Sequence, residues 1–198
     1  MRTRAVRLYG KNDLRLEEFE LPPLGDDAIL AEVISDSLCM SSHKAAEQGA
    51  GHKRVPTDVH QNPIIIGHEL CGRILEVGKK WRKSFKTGRK FTIQPALNYK
   101  GSLDAPGYSY RYIGGDATRI LIPYEVMEMG CLLPYSGAGF FPASLSEPMS
   151  CIIGAFKAGY HTTPGYGGEI QGGIDDRIQA PNVGDHGGWI YPAGGHQL

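Results

Sequence analysis

The chain has 198 residues, of which 41% are hydrophobic and 21% charged, as is ordinary for a soluble globular protein. Lys plus Arg and Asp plus Glu both number 21, so the formal net charge is zero. This balance excludes the electrostatic footprint of a protein that binds nucleic acid or an anionic membrane, and it leaves self-association into a homo-oligomer open.

Two further features predict a cytoplasmic location and no membrane partner. No apolar run approaches the roughly 20 residues of a membrane helix, and no apolar segment follows the charged N-terminus as in a secretory signal. The cysteines are Cys39, Cys71, Cys131 and Cys151, which are widely separated and form no CxxC pair. We therefore expect reduced thiols, at least one of which is a candidate metal ligand.

The first 140 residues contain many short segments that are typical of strands. The predicted strands are residues 3–8, 14–19, 28–35, 71–77, 90–94 and 117–123. The first two flank a turn signal and predict a β-hairpin. In the third, Ile29, Ala31 and Val33 alternate with the residues of the opposite face. With little helix between them, these strands indicate a mainly β domain with some α structure, built as a barrel or sandwich.

Two helices are predicted. A short helix over residues 41–48 would be capped by Ser41 or Ser42 and would end at Gly49. A longer helix over residues 144–160 follows from apolar residues at helical spacing and from a proline in the first turn.

The composition changes beyond these elements. Ten of the 35 residues from Pro164 to Leu198 are glycine, and residues 189–191 are an isolated apolar cluster. We therefore predict a domain at residues 1–160, followed by a glycine-rich linker at residues 161–198.

Metal-ligating residue types occur in three separate segments. The segments are residues 37–42, 63–78 and 145–151. A catalytic zinc takes about three protein ligands from Cys, His and carboxylate, and it leaves one position for water or substrate. Cys39, His68 and Glu147 supply such a set, and Glu69 follows His68 as a fourth, exchangeable carboxylate.

The pattern Pro-x-x-x-Gly-His-Glu-x-x-Gly-x-x-x-x-Val-Gly in residues 63–78 resembles the zinc signature of the medium-chain dehydrogenase/reductase superfamily. Cys39 and Ser41 are similar to that family's first metal ligand and alcohol-contacting hydroxyl. Glu147 matches the position of a carboxylate ligand in sorbitol-dehydrogenase-like members. Over roughly residues 1–160 the chain resembles the family's GroES-like β-barrel catalytic domain. Within the family, its local sequence is most similar to reductases of sugar phosphates.

The resemblance implies a zinc-dependent oxidoreductase that interconverts a secondary alcohol, polyol or sugar phosphate and its ketone with NAD(P). It implies that Ser41 relays a proton, although Ser41 could equally be a helix cap. Glu69 is then either a direct zinc ligand or the partner of one. Since residues 94–116 contain no cysteine, we expect one catalytic zinc and no structural zinc.

The resemblance also implies a Rossmann nucleotide-binding domain, of which this chain would contain only the truncated start. Residues 187–195 are similar to its first strand and glycine-rich turn, with Gly194 and Gly195 as expected cofactor contacts. We therefore expect this chain alone to be inactive. Ser42 stands where relatives often carry Asp, which leaves open how the neighbouring ligands are held.

Two other functions stay open at this point. A metal-free quinone or enone reductase of the same superfamily would not need Cys39, Glu69 and Glu147. A non-catalytic module would use the barrel only for binding or oligomer contacts. Metal content per chain separates these functions from the zinc enzyme.

Overall fold

A computed structural model describes residues 1–158, with side chains through residue 155, and this part of the chain is mainly β. The strands are β1 (Arg2–Gly10), β2 (Asp13–Glu20), β3 (Ile29–Ser37), β4 (Ile64–Ile65), β5 (Glu69–Val77), β6 (Lys90–Ile93), β7 (Arg119–Ile122) and β8 (Leu132–Tyr135). The α-helices are α1 (Met40–Gln48), α2 (Tyr124–Glu128), α3 (Phe141–Ser144) and α4 (Ser146–Ala158). Short 3₁₀ turns lie at Gly49–Gly51, Lys79–Trp81 and Tyr99–Gly101.

The strands form two antiparallel sheets. Strands β2, β1 and β4 form the smaller sheet, and the larger has the order β7-β3-β5-β6-β8. Thr3 lies opposite Phe19 in the pair β1–β2, so the predicted hairpin is confirmed. Ala5 and Ala117 form an isolated bridge that links the hairpin to the segment before β7.

The main core lies against the inner face of the larger sheet. Ile29 and Ala31 of β3 are completely buried there, together with Leu70 of β5 and Phe91 of β6. Leu30, on the opposite face of β3, packs into a separate apolar cluster. The alternation predicted for this strand is thus confirmed, and its first half is covered by apolar side chains on both faces.

The helix predictions need one correction and one shifted boundary. The residue that caps α1 is Cys39, whose sulfur accepts a hydrogen bond from the Ser41 amide, so Ser41 and Ser42 lie inside the helix and do not cap it. The helix predicted at 144–160 is α4, which begins two residues later, at Ser146, and is described to Ala158; Ser144 ends the separate short helix α3. Gly49 ends α1 as expected.

The chain divides into two units after Leu145, and helix α4 is the described part of the second. The predicted linker at 161–198 lies outside the described residues, so the boundary at residue 160 stays a prediction. None of the helices within the described range is long and apolar enough to cross a membrane.

Candidate metal centre

Two backbone segments meet at the polar end of β3 and position the candidate ligands. Cys39 follows β3 at the start of α1, where its extended backbone and the Ser41 amide fix the thiol. His68 immediately precedes β5, and Glu69 is the first residue of that strand. Because Ser37 pairs with Glu69 across β3 and β5, the sheet register brings the two ligand segments together.

Gly67 makes the sharp approach to His68 possible. Its φ of 91° lies in the left-handed region, which strongly favours glycine. A Cβ at this position would collide with the Asp36 carboxylate and come within 2.8 Å of the Asp116 amide nitrogen. Gly67 is therefore required both by its conformation and by the space around it.

Cys39, His68 and Glu69 form a compact buried cluster. One ligand atom of each residue lies within 4.8 Å of the others, and the three residues are only 6%, 4% and 3% exposed. His68 Nε2 and Glu69 Oε1 are 4.0 Å apart. The structure thus brings together three of the four residues predicted as metal ligands.

Hydroxyl groups surround the His68 ring. Ser42 Oγ lies 3.2 Å from His68 Nδ1, so Ser42 provides the local partner that the sequence left open. Ser41 Oγ is 2.7 Å from Cys39 Sγ and 3.3 Å from His68 Nε2. The Tyr108 hydroxyl lies 2.6 Å from Ser41 Oγ and 3.2 Å from His68 Nε2. These contacts hold the imidazole at both ring nitrogens.

Burial changes the ionisation of the cluster. Burial, together with the positive charge of Arg54, lowers the pKa of His68 to about 4, so its imidazole is neutral at neutral pH and its contact with Glu69 is not an ion pair. Burial also raises the pKa of the Cys39 thiol to about 11, and the Glu69 charge acts in the same direction. Without a cation nearby, Cys39 is therefore a neutral thiol.

A second carboxyl group, that of Asp36, lies close to the cluster. Asp36 is held between Gly67 and Gly115, whose missing side chains leave room for its carboxyl group. Burial, followed by the charges of Asp116 and Glu69, raises the Asp36 pKa to about 8, although the Glu69 and Ser37 amides lower it in part. Neither Asp36 oxygen has a partner at hydrogen-bond geometry, and both are inaccessible to solvent.

Three further residues were predicted as part of the site. Glu147 is in the first turn of α4 and accepts a hydrogen bond from Cys151 Sγ at 3.5 Å. Because α4 belongs to the second unit, the role of Glu147 as a ligand stays a prediction. Gly194 and Gly195 lie outside the described residues. His43, four residues after Cys39, is an exposed surface residue whose Nε2 lies 3.6 Å from Glu47 Oε1.

Sequence reasoning did not identify Tyr108 or Asp36 as part of this site. Tyr108 is separated from His68 by 40 positions and lies in a loop with no recognisable pattern. Asp36 could have been noticed as an acidic residue that follows an alternating apolar strand, directly before the segment of Cys39.

The sequence is similar to enzymes that act on phosphorylated sugars and polyols. Residues 25–129 match the alcohol dehydrogenase GroES-like domain. The L-sorbose 1-phosphate reductase of Klebsiella pneumoniae is 55% identical over 170 residues, which cover 86% of this chain and 42% of that protein. The mannitol-1-phosphate 5-dehydrogenase of Aliivibrio fischeri is 48% identical over 161 residues, covering 81% and 38%. The chain therefore spans less than half the length of these relatives.

The fold is also similar to that of solved dehydrogenases. A provisionally identified zinc-binding dehydrogenase from Sinorhizobium meliloti, bound to NADP, has a TM-score of 0.63 and 21% identity, over 78% of this chain and 45% of its own. The 2R,3R-butanediol dehydrogenase of Bacillus subtilis has a TM-score of 0.59 and 20% identity, over 80% and 46%. The chain therefore belongs to the family of alcohol dehydrogenase GroES-like domains.

Proposed function

We propose that this chain is the zinc-binding catalytic domain of an NAD(P)-dependent dehydrogenase that interconverts a sugar phosphate or polyol and its ketone. The observation that carries the proposal is the buried convergence of Cys39, His68 and Glu69 within 4.8 Å of one another. The similarity to L-sorbose 1-phosphate reductase and mannitol-1-phosphate 5-dehydrogenase supports the substrate class.

The cluster fits zinc in both composition and spacing. One sulfur, one imidazole nitrogen and one carboxylate oxygen are ligands typical of a catalytic zinc site. Bonds of about 2.0–2.3 Å to a tetrahedral ion place ligand atoms roughly 3.3–3.8 Å apart. The 4.0 Å between His68 Nε2 and Glu69 Oε1 needs only a small side-chain rotation to reach that range.

The electrostatics of the site favour a bound cation. Burying a carboxylate or thiolate is costly unless a positive charge compensates it, and Glu69 lies near both the Cys39 thiol and the Asp36 carboxyl group. A divalent cation would offset the repulsion among these groups and stabilise the Cys39 thiolate. The neutral His68 is already in the form that binds metal.

The proposed roles follow from chemistry and position. Zinc, when bound, supplies Lewis-acid polarisation of a substrate oxygen. Ser41 would accept or return the substrate proton, since its hydroxyl lies beside Cys39 and His68 and is 2.6 Å from the Tyr108 hydroxyl. Ser42 would orient His68 through Nδ1. In the complete enzyme we propose NAD(P) as the hydride partner and Glu147 as a further carboxylate ligand.

The proposal is tested by metal content. Chain stripped with a chelator, reconstituted with zinc and freed of excess metal should contain about one zinc per chain. Cys39→Ser should contain almost none, because it removes the sulfur ligand. Cys131→Ser, the matched control, should keep about one zinc, since its buried thiol is near Met129 and not in the cluster. Zinc retention by Cys39→Ser, or no uptake by the unaltered chain, would refute the proposal.

A further inference from the structure

A segment with cationic side chains lies beside the candidate metal centre and contains none of the candidate ligands. His52, Lys53 and Arg54 follow the 3₁₀ turn at Gly49–Gly51, in the loop between α1 and β4. The Arg54 amide donates to His52 Nδ1 at 3.3 Å, and the Arg54 carbonyl accepts from Ser109 Oγ at 2.7 Å. The backbone that carries the Arg54 guanidinium is therefore fixed on both sides.

The Tyr108 ring connects Arg54 to the metal centre. The guanidinium carbon of Arg54 lies 5.5 Å from the centroid of this ring, and the His68 ring centroid lies 4.7 Å from it. The His52 ring stacks on Tyr108 at 5.8 Å with an interplanar angle of 13°. Arg54 is also near enough to His68 to lower its pKa. The positive charge of Arg54 thus lies next to the ring that contacts His68.

Among the described residues, no carboxylate lies within ion-pair distance of Lys53 or Arg54. By contrast, Arg7, Arg15 and Arg73 each contact a carboxylate in the same part of the chain. A half-buried guanidinium without an acidic partner keeps its planar set of donors available. Its geometry matches the oxygens of a phosphate group, which it can bind through two parallel hydrogen bonds.

We propose that Arg54, assisted by Lys53, binds the phosphate group of a phosphorylated sugar whose reacting oxygen lies at the metal centre. The proposal rests on the proposed function and adds the residue that selects phosphorylated over unphosphorylated substrates. Arg54 would act through charge and hydrogen bonds on the phosphate group, which is not itself oxidised or reduced. Tyr108 would hold the guanidinium against its ring, and His52 would support Tyr108 by stacking on it.

The test uses the full chain loaded with cobalt(II), which binds the same ligand types as zinc and is paramagnetic. Cobalt content and the visible spectrum of the cobalt–thiolate site are recorded first. L-sorbose 1-phosphate is then titrated, and the relaxation rate of its phosphorus nucleus is measured by NMR. Bound near the metal, this phosphorus should relax faster than in zinc-loaded chain. Unphosphorylated L-sorbose should displace it poorly, and inorganic phosphate should compete better.

Arg54→Gln should weaken binding of L-sorbose 1-phosphate by about tenfold or more, through loss of charged hydrogen bonds, while the cobalt spectrum stays unchanged. The control Arg89→Gln removes an equal charge from the exposed turn before β6 and should bind as the unaltered chain does. Equal binding by Arg54→Gln, or no relaxation effect in fully cobalt-loaded chain, would overturn the phosphate site. Failure to bind cobalt at all would instead refute the proposed metal centre.

Discussion

The two halves of β3 differ in what their side chains contact: the first half packs in apolar clusters and the second makes polar contacts. In the first half, Ile29 and Ala31 are fully buried in the main core and Leu30 packs on the opposite face. In the second half, Ser35 and Ser37 are anchored to α3, because both contact Ser144 at 3.0 Å. Asp36 lies between them, and Cys39 follows. The apolar half contributes stability, whereas the polar half contains the buried Asp36 carboxyl group and leads to the candidate ligand Cys39.

This comparison predicts the largest effect for Ile29→Ala. Removing a completely buried side chain from the core should lower the free energy of unfolding by about 2–5 kcal/mol. Ile34→Ala, in the same strand, should change it by no more than about 0.5 kcal/mol, because that side chain is 47% exposed. Urea denaturation of the metal-free chain measures both. Similar losses for the two variants would contradict the assignment of the core to one half of the strand.

A substitution in the polar half of β3, Asp36→Asn, should instead raise the free energy of unfolding. The folded-state pKa of Asp36 is raised from 3.8 to about 8, so the folded chain binds more protons than the unfolded chain between these pH values. The stability linked to the protonated carboxyl group is present below pH 4 and is lost as the pH rises through 8. Asp36→Asn, which mimics the protonated group, should therefore raise the stability of metal-free chain at pH 9 by roughly 1–3 kcal/mol.

The check is a pair of thermal denaturation series from pH 5 to pH 9. We expect the two proteins to have similar stability near pH 5 and to diverge steadily above it. Asp27→Asn, which neutralises an exposed acidic residue before β3, should follow the unaltered chain. If Asp36→Asn loses stability at pH 9 relative to the unaltered chain, the carboxylate is stabilising and the account of Asp36 is wrong.

A smaller effect, on zinc affinity, is expected from Ser42, which contacts the candidate ligand His68. Ser42→Ala removes the contact at 3.2 Å with His68 Nδ1 and should weaken zinc binding by about tenfold, as loss of such an outer contact typically does. Competition against a chelator of known affinity measures the change. His43→Ala, the control in the next position, should leave the affinity unaltered, because His43 is exposed and faces Glu47. Equal effects would show that Ser42 does not orient the ligand.

Much of the fold follows from the sequence because its causes are local. The alternation in residues 28–35 reflects the two-residue period of a strand, and β1 and β2 are joined by a tight turn. Strand β8 was not predicted because Pro134 interrupts its pattern. The structure accommodates this proline because β8 is at the edge of the larger sheet, where one side of the strand needs no partner.

The candidate site was predictable only in part, because only some of its residues lie close together in the sequence. His68 and Glu69 are contiguous, and Cys39 lies in a recognisable motif. Tyr108 reaches the site through the tertiary fold, and no spacing in the sequence indicates it. The cap of α1 was misassigned because serine is the stronger capping residue, whereas here the Cys39 sulfur takes that position and leaves Ser42 for His68.

The central claim, a metal held by one thiolate and by nitrogen and oxygen ligands, is tested most directly by X-ray absorption at the zinc edge. Zinc-loaded chain should show one sulfur at about 2.3 Å and two or three nitrogen or oxygen ligands at about 2.0–2.2 Å. Cys39→Ser, incubated with equal zinc and freed of excess metal, should give almost no zinc signal. A first shell with no sulfur, or with two or more, would contradict a site built from Cys39, His68 and Glu69.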